Sequence, residues 1–203
     1  MDPIVDAVLE AMTRSGLVQV EISARHVHLC AQDLATLFGP SAALTPKRPL
    51  SQPGQFLAEE RVTLVGPKGT FERTAILGPV RKDTQVELSV SDLRVLGISA
   101  PMRESGDVAG SSSITIQGPC GQVTLRQGVI VARNHVHMTP RAAAALGLHD
   151  KQLVSVKVFT ERPVTFRDVI IRVSDKFSCR LHLDVDEGNA AAVSGFTLGW
   201  IEH

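Results

Sequence analysis

Alternation of apolar and polar residues dominates this chain, and helical spacing is confined to short stretches. Ile4, Val5, Val8, Leu9 and Met12 recur at helical spacing between Pro3 and Gly16, which predicts a helix over residues 1–15. The pattern leaves open whether that helix packs on the core or docks on a partner surface. Residues 17–29 predict a strand region. Residues 32–38 predict a short helix with Leu34 and Leu37 inward, stopped by Gly39-Pro40. Pro40, Pro46, Pro49 and Pro53 then break any regular element and predict an ordered loop over 40–54. A second loop is predicted from Pro101 to Ser113. Alternation returns over 153–158 and 169–173. It is strictest in Arg180-Leu181-His182-Leu183-Asp184-Val185-Asp186, where the polar residues share one face.

Two stretches follow one pattern. Val62-Thr63-Leu64-Val65 runs into Gly66-Pro67-Lys68-Gly69, and Ile114-Thr115-Ile116-Gln117 runs into Gly118-Pro119-Cys120-Gly121, each predicting a hairpin. The same offset of 52 positions carries Arg81 onto Arg133. A looser correspondence links three strand-to-helix segments. His28 leads through Asp33-Leu34 to Gly39, Glu87 through Asp92-Leu93 to Gly97, and His137 through Ala143-Ala144 to Gly147. Ser91 and Thr139 are the expected helix caps in the last two.

The candidate chemistry lies at the ends of these strands. In an extended strand residues i and i+2 point to one side, so His26 and His28 can offer two imidazoles to one ion, and His135 and His137 can do the same. The repeat places Glu87 where the other segments have histidine, and His182 is the natural further ligand on the polar face of its strand. Asp184 is a rival ligand or a partner that orients an imidazole. A catalytic zinc takes three protein ligands and keeps one position open, so the sets become His26, His28 and Glu87, and His135, His137 and His182. Two such ions about 3.5–4 Å apart could hold phosphate and polarise a carbonyl. Arg81 is the candidate for gripping phosphate through two parallel bonds, against a surface pair with Asp83. Arg103 and Ser105 are weaker candidates for substrate binding. His149 and His203 receive no role.

Composition narrows the class. The 21 basic and 21 acidic residues cancel, so there is no electrostatic footprint for nucleic acid or an anionic membrane. Cys30, Cys120 and Cys179 are odd in number and far apart, which argues against a disulfide scaffold and for a reducing cytoplasm. No stretch reaches the roughly 20 apolar residues of a membrane span. Phosphate-binding glycine loops and the serine-hydrolase elbow are absent from the sequence.

Arg25-His26-Val27-His28-Leu29, Leu50-Ser51-Gln52-Pro53-Gly54-Gln55-Phe56, Gly78-Pro79-Val80-Arg81, Gln85-Val86-Glu87-Leu88-Ser89, Ser105-Gly106-Asp107, Asn134-His135-Val136-His137-Met138 and His182-Leu183-Asp184-Val185-Asp186-Glu187 together resemble the phosphate propanoyltransferase family, the phosphotransacylases of bacterial metabolosomes. The resemblance runs from about Val20 onward. It implies a mainly β fold of two closely packed β-barrels with short capping α-helices, residues 1–24 and 133–203 forming one barrel and 25–132 the other, with the site between them. It also implies two zinc ions on the same two ligand sets, a phosphate-binding Arg81, and exchange of short acyl groups between coenzyme A and phosphate by way of acyl phosphate. The implied location is the bacterial cytoplasm, in a microcompartment lumen. Shell or lumen proteins and a second copy of the chain are the candidate protein partners, with neither nucleic acid nor membrane.

Direct attack by bound phosphate on propionyl-CoA or acetyl-CoA is the expected route, in preference to an acyl thioester on Cys30. Two other readings remain: another dinuclear metal hydrolase, and a non-enzymatic zinc-stabilised module associated with a shell. Family members often carry an amphipathic targeting helix ahead of the barrels, and the extension here is short.

Overall fold

The computed structural model describes residues 3–202, so Met1, Asp2 and His203 lie outside the described residues. In chain order the elements are α1 (Pro3–Arg14), β1 (Leu17–Ser23), β2 (His26–His28), α2 (Ala31–Phe38), β3 (Pro46–Pro49), β4 (Phe56–Val65), β5 (Thr70–Gly78), β6 (Gln85–Glu87), α3 (Val90–Leu96) and β7 (Met102–Arg103). They continue with β8 (Ser112–Gln117), β9 (Gln122–Ala132), β10 (His135–Met138), α4 (Pro140–Leu146), β11 (Leu153–Phe159), β12 (Val164–Val173), β13 (Arg180–Asp184), α5 (Val185–Ala190) and β14 (Thr197–Glu202). The fold is mainly β. Two units divide the described residues: 3–23, 51–53 and 133–202 fall in the first, and 24–50 and 54–132 in the second.

The first unit is a closed six-stranded barrel in the order β1-β13-β10-β12-β11-β14. Its interior is aliphatic, built from Val18, Val20, Val136, Met138, Val156, Ile171, Leu181, Leu183 and Ile201 among others. These are the inward members of alternating strands, and closure leaves no edge within the ring. Helix α1 buries Leu9 and Thr13 but leaves Ile4, Val5 and Val8 exposed. Only part of its apolar stripe therefore packs on the barrel.

The second unit closes another ring of six, β4-β5-β2-β6-β9-β8, with β3 added beside β4 and β7 beside β9. Val27, Leu29, Leu64, Ile76, Val86, Ile116 and Val129 fill it. The two Gly-Pro-x-Gly segments are the hairpins β4–β5 and β8–β9, closed by Gly66 N–H to Gly69 O and Gly118 N–H to Gly121 O, both 2.9 Å. Each hairpin caps the end of a helix. Lys68 N–H donates to Leu96 O at the end of α3, and Cys120 N–H to Leu37 O at the end of α2. A Cβ at Gly66 would stand 2.4 Å from Leu96 O, and one at Gly118 2.5 Å from Leu37 O. The repeated glycines are thus required by close approach of backbone to backbone.

Four expectations need correction. The strand region 17–29 is interrupted at Ala24-Arg25, where the chain leaves one barrel and enters the other. The proline-rich stretch 40–54 contains strand β3, which runs from Pro46 to Pro49 and pairs only with β4. An edge strand tolerates residues that lack an N–H donor. Ser89, not Ser91, caps α3, because its hydroxyl accepts from Asp92 N–H while the Asp92 carboxylate accepts from Ser89 N–H. Alternation after Arg180 stops at Asp184, whose side chain caps α5, so Asp186 belongs to a helix and not to the polar strand face.

Candidate functional site

In the second unit β2 and β6 are antiparallel neighbours, with His26 opposite Glu87 and His28 opposite Gln85. Val27 and Val86 turn into the barrel, so the two histidines, Gln85 and Glu87 share the other face. That face is also shielded: His26, His28 and Glu87 are each less than a tenth exposed. The three residues each offer one ligand atom, all within 4.8 Å of one another.

Backbone carbonyls determine how the imidazoles point. His26 Nδ1 lies 2.9 Å from Ala24 O and His28 Nδ1 lies 3.1 Å from Leu77 O. A carbonyl only accepts, so both Nδ1 atoms carry the proton and both Nε2 atoms turn inward, 3.2 Å apart. Glu87 Oε2 is 3.6 Å from His26 Nε2. Two facing lone pairs beside a carboxylate call for a cation between them. Without a metal a proton serves: burial pulls the His26 pKa down, but the Glu87 charge and hydrogen bond together with the Ala24 carbonyl raise it overall. Burial, the His26 charge and Arg81 drive His28 well below the ordinary histidine value. Burial also works against ionised Glu87, yet His26, His28 and the Ser105 hydroxyl hold its carboxyl far below the usual range. Two imidazole nitrogens and one carboxylate oxygen, already oriented, fit a divalent ion such as zinc.

The first unit builds the corresponding set. Strands β10 and β13 are antiparallel, with His135 opposite His182 and His137 opposite Arg180. His135 Nδ1 lies 2.8 Å from Arg133 O, the counterpart of the His26–Ala24 contact. The rings crowd together, with centroids 4.6 Å apart for His135–His137, 4.8 Å for His137–His182 and 5.1 Å for His135–His182. Phe177 stacks on His137 at 4.0 Å. These three ligand atoms too lie within 4.8 Å of one another.

Ser105 joins Arg81 to the second unit's set. Its hydroxyl donates to Glu87 Oε1 at 2.7 Å and accepts from Arg81 Nη1 at 3.1 Å and from Gln85 Nε2 at 3.0 Å. Arg81 therefore contacts the cluster's own hydrogen-bond network. Arg103 does not join it and bonds Asp107 at 2.9 Å instead. Cys30 is the N-cap of α2, its sulfur accepting from Asp33 N–H at 3.4 Å.

Several polar residues at the sets are given no individual role by the sequence. Gln85 donates to Glu87 Oε1 at 2.5 Å and accepts from Gly106 N–H at 2.7 Å, so it ties the ligand strand to the Ser105 loop. Arg180, placed opposite His137 as Gln85 is opposite His28, is 2% exposed and donates to Glu21 at 3.1 Å. Ser51 donates to the other Glu21 oxygen at 2.5 Å. Gln52 bonds both backbone groups of Ser178 and lies 3.4 Å from His182 Nε2. Gln85 reaches Glu87 along its own strand, whereas the partners of Arg180, Ser51 and Gln52 are distant in sequence and only the fold reveals them.

Comparison with known proteins bears on the same residues. The sequence profile of the family described as phosphate propanoyltransferase matches residues 19–194. The phosphate propanoyltransferase of Clostridioides difficile (strain 630) is 45% identical over 201 residues, covering 99% of this chain and 96% of that one. That of Enterococcus faecalis (strain ATCC 700802 / V583) is 44% identical over 203 residues, covering 99% and 96%. That of Thermotoga maritima is 46% identical over 195 residues, covering 96% and 93%. With likeness of this extent along nearly its whole length, the chain belongs to the phosphate propanoyltransferase family, a family of acyltransferase enzymes.

Proposed function

We propose that this enzyme interconverts a short acyl-CoA plus phosphate with acyl phosphate plus free CoA, propionyl and acetyl being the acyl groups that fit the reading. Each set of three, His26, His28 and Glu87 or His135, His137 and His182, would hold one zinc ion, and the two ions would act as one dinuclear centre. The observation that carries the reading is the paired construction of the sets, with Arg81 joined through Ser105 to Glu87. When bound, the metals supply positive charge for phosphate and for the carbonyl oxygen of the thioester.

The chain's residues supply orientation. The Arg81 guanidinium holds phosphate through parallel hydrogen bonds, and Ser105 keeps the guanidinium in place. A phosphate oxygen attacks the thioester carbonyl carbon, the C–S bond breaks, and CoA leaves as thiolate that takes a proton from solvent. Proximity and charge stabilisation carry the rate, with no covalent enzyme intermediate. This route makes no use of Cys30, whose sulfur accepts from Asp33 N–H at the start of α2. The proposed setting is a bacterial microcompartment lumen, on the strength of the family resemblance. No helix among the described residues is long and apolar enough to cross a membrane.

The test is an assay of zinc-replete protein with propionyl-CoA and phosphate for release of free CoA. Phosphate-dependent release with formation of acyl phosphate is expected. Absence of phosphate-dependent release from protein of full metal content overturns the transferase reading, and release that proceeds equally without phosphate points to a hydrolase.

A further inference from the structure

The same tether recurs beside both ligand sets. In the second unit the third ligand, Glu87, lies two residues before Ser89, the N-cap of α3. Asp92, three residues into that cap, splits its carboxylate. Oδ2 accepts from Ser89 N–H at 3.2 Å, while Oδ1 accepts from Arg25 Nε at 3.0 Å and Arg25 Nη2 at 2.8 Å. Arg25 immediately precedes the ligand His26.

In the first unit the third ligand, His182, lies two residues before Asp184, the N-cap of α5. Glu187 splits its carboxylate the same way. Oε2 accepts from Asp184 N–H at 3.0 Å, while Oε1 accepts from Asn134 Nδ2 at 2.6 Å. Asn134 immediately precedes the ligand His135. The partners differ in chemistry, an arginine with an aspartate in one unit and an asparagine with a glutamate in the other, yet they occupy equivalent positions.

Resting on the metal reading above, we propose that Asp92 with Arg25, and Glu187 with Asn134, are positioning clamps that hold the strand bearing the first two ligands at a set distance from the strand bearing the third. A capping carboxylate needs only its own helix as partner, so the second oxygen is available for work beyond capping. That oxygen reaches the residue immediately before the H-x-H strand in both units. The adjoining Nδ1 contacts of His26 and His135 go to carbonyls at residues 24 and 133, so a shift of residue 25 or 134 turns the ligand ring directly. Arg25 is further braced by Phe71, whose ring lies 4.1 Å beneath its guanidinium.

Arg25→Ala and Asn134→Ala test this without removing either helix cap. Zinc affinity is measured by competition with a chromogenic chelator at pH 8, the absorption of the cobalt-substituted protein reports ligand geometry, and His28→Ala and His137→Ala assign each ion to its set. Arg25→Ala is expected to weaken the ion of His26, His28 and Glu87 by about 10–100-fold and to alter its cobalt absorption, leaving the other ion unchanged; Asn134→Ala is expected to do the reverse. Arg25→Lys, with one nitrogen in place of two, should fall between. Wild-type protein that takes up no zinc overturns the metal reading and this proposal with it. Wild-type protein that takes up two ions, with both alanine variants at wild-type affinity, overturns the clamps alone. Equal weakening of both ions together with a collapsed melting temperature of the metal-free variant also overturns them.

Discussion

His26 and His28 face each other nitrogen to nitrogen, Nε2 to Nε2 at 3.2 Å, each with its Nδ1 turned to a backbone carbonyl. The arrangement could hold a shared cation, and on the proposed reading protons would compete with a metal for it. Zinc in this set should be retained at pH 8 and released as pH falls through the histidine range, because metal binding needs both imidazoles deprotonated. His28→Ala should reduce zinc from two ions per chain to one and abolish phosphate-dependent CoA release. Dialysis at stepped pH followed by metal analysis checks the first outcome, and the CoA-release assay the second.

On the proposed reading, variants of Arg81 and Ser105 should separate phosphate binding from metal binding. Arg81→Ala should raise KM for phosphate and lower kcat/KM by about 100-fold, with zinc content unchanged. Arg81→Lys should recover little, since an ammonium cannot grip phosphate through a fork. Ser105→Ala removes one hydrogen bond to Glu87 and should weaken zinc as well, by about 10-fold. Steady-state kinetics in each substrate, with metal analysis on the same samples, distinguishes the two patterns.

Stability should depend on pH through Glu187. Burial, reinforced by the Asp184 and Asp186 charges, raises its carboxyl pKa from 4.5 to about 7 against the hydrogen bonds from Asp184 N–H and Asn134. The folded state therefore favours the protonated form. Its contribution is complete below pH 4.5 and is lost as pH rises through about 7. Allowing for partial exposure, the loss is on the order of 1–2 kcal/mol. Glu187→Gln should flatten this slope of melting temperature against pH, whatever its effect on absolute stability through the α5 cap.

The hairpin glycines should be intolerant of any side chain. Gly66→Ala and Gly118→Ala would drive a Cβ against Leu96 O and Leu37 O at 2.4 and 2.5 Å, with backbone on both sides unable to yield cheaply. Each should cost about 1–3 kcal/mol. Leu37→Ala, which empties a fully buried position, should cost about 2–5 kcal/mol. Denaturant unfolding measures both.

Local pattern carries most of the strands, the hairpin turns, helices α1 to α4 and the pairing of histidines on one strand face, but not α5. Period-two alternation and Gly-Pro chemistry act over a few residues, so they can be read from the chain directly. The repeat nominated Glu87, the polar face of its strand nominated His182, and the family resemblance implied both. Which atoms meet was decided elsewhere, by the register that sets His26 against Glu87 and His135 against His182 across strands far apart in sequence. The break at Ala24-Arg25, the edge strand through Pro46 and Pro49, and the partners of Gln85, Arg180 and Gln52 have the same origin. Asp92 and Glu187 show the limit most clearly: as capping residues they are local features, but the oxygen that reaches Arg25 or Asn134 does so only because barrel closure brings the two strands together. Hydrogen-bond register between distant strands depends on closing the whole ring, a constraint no window of neighbouring residues contains.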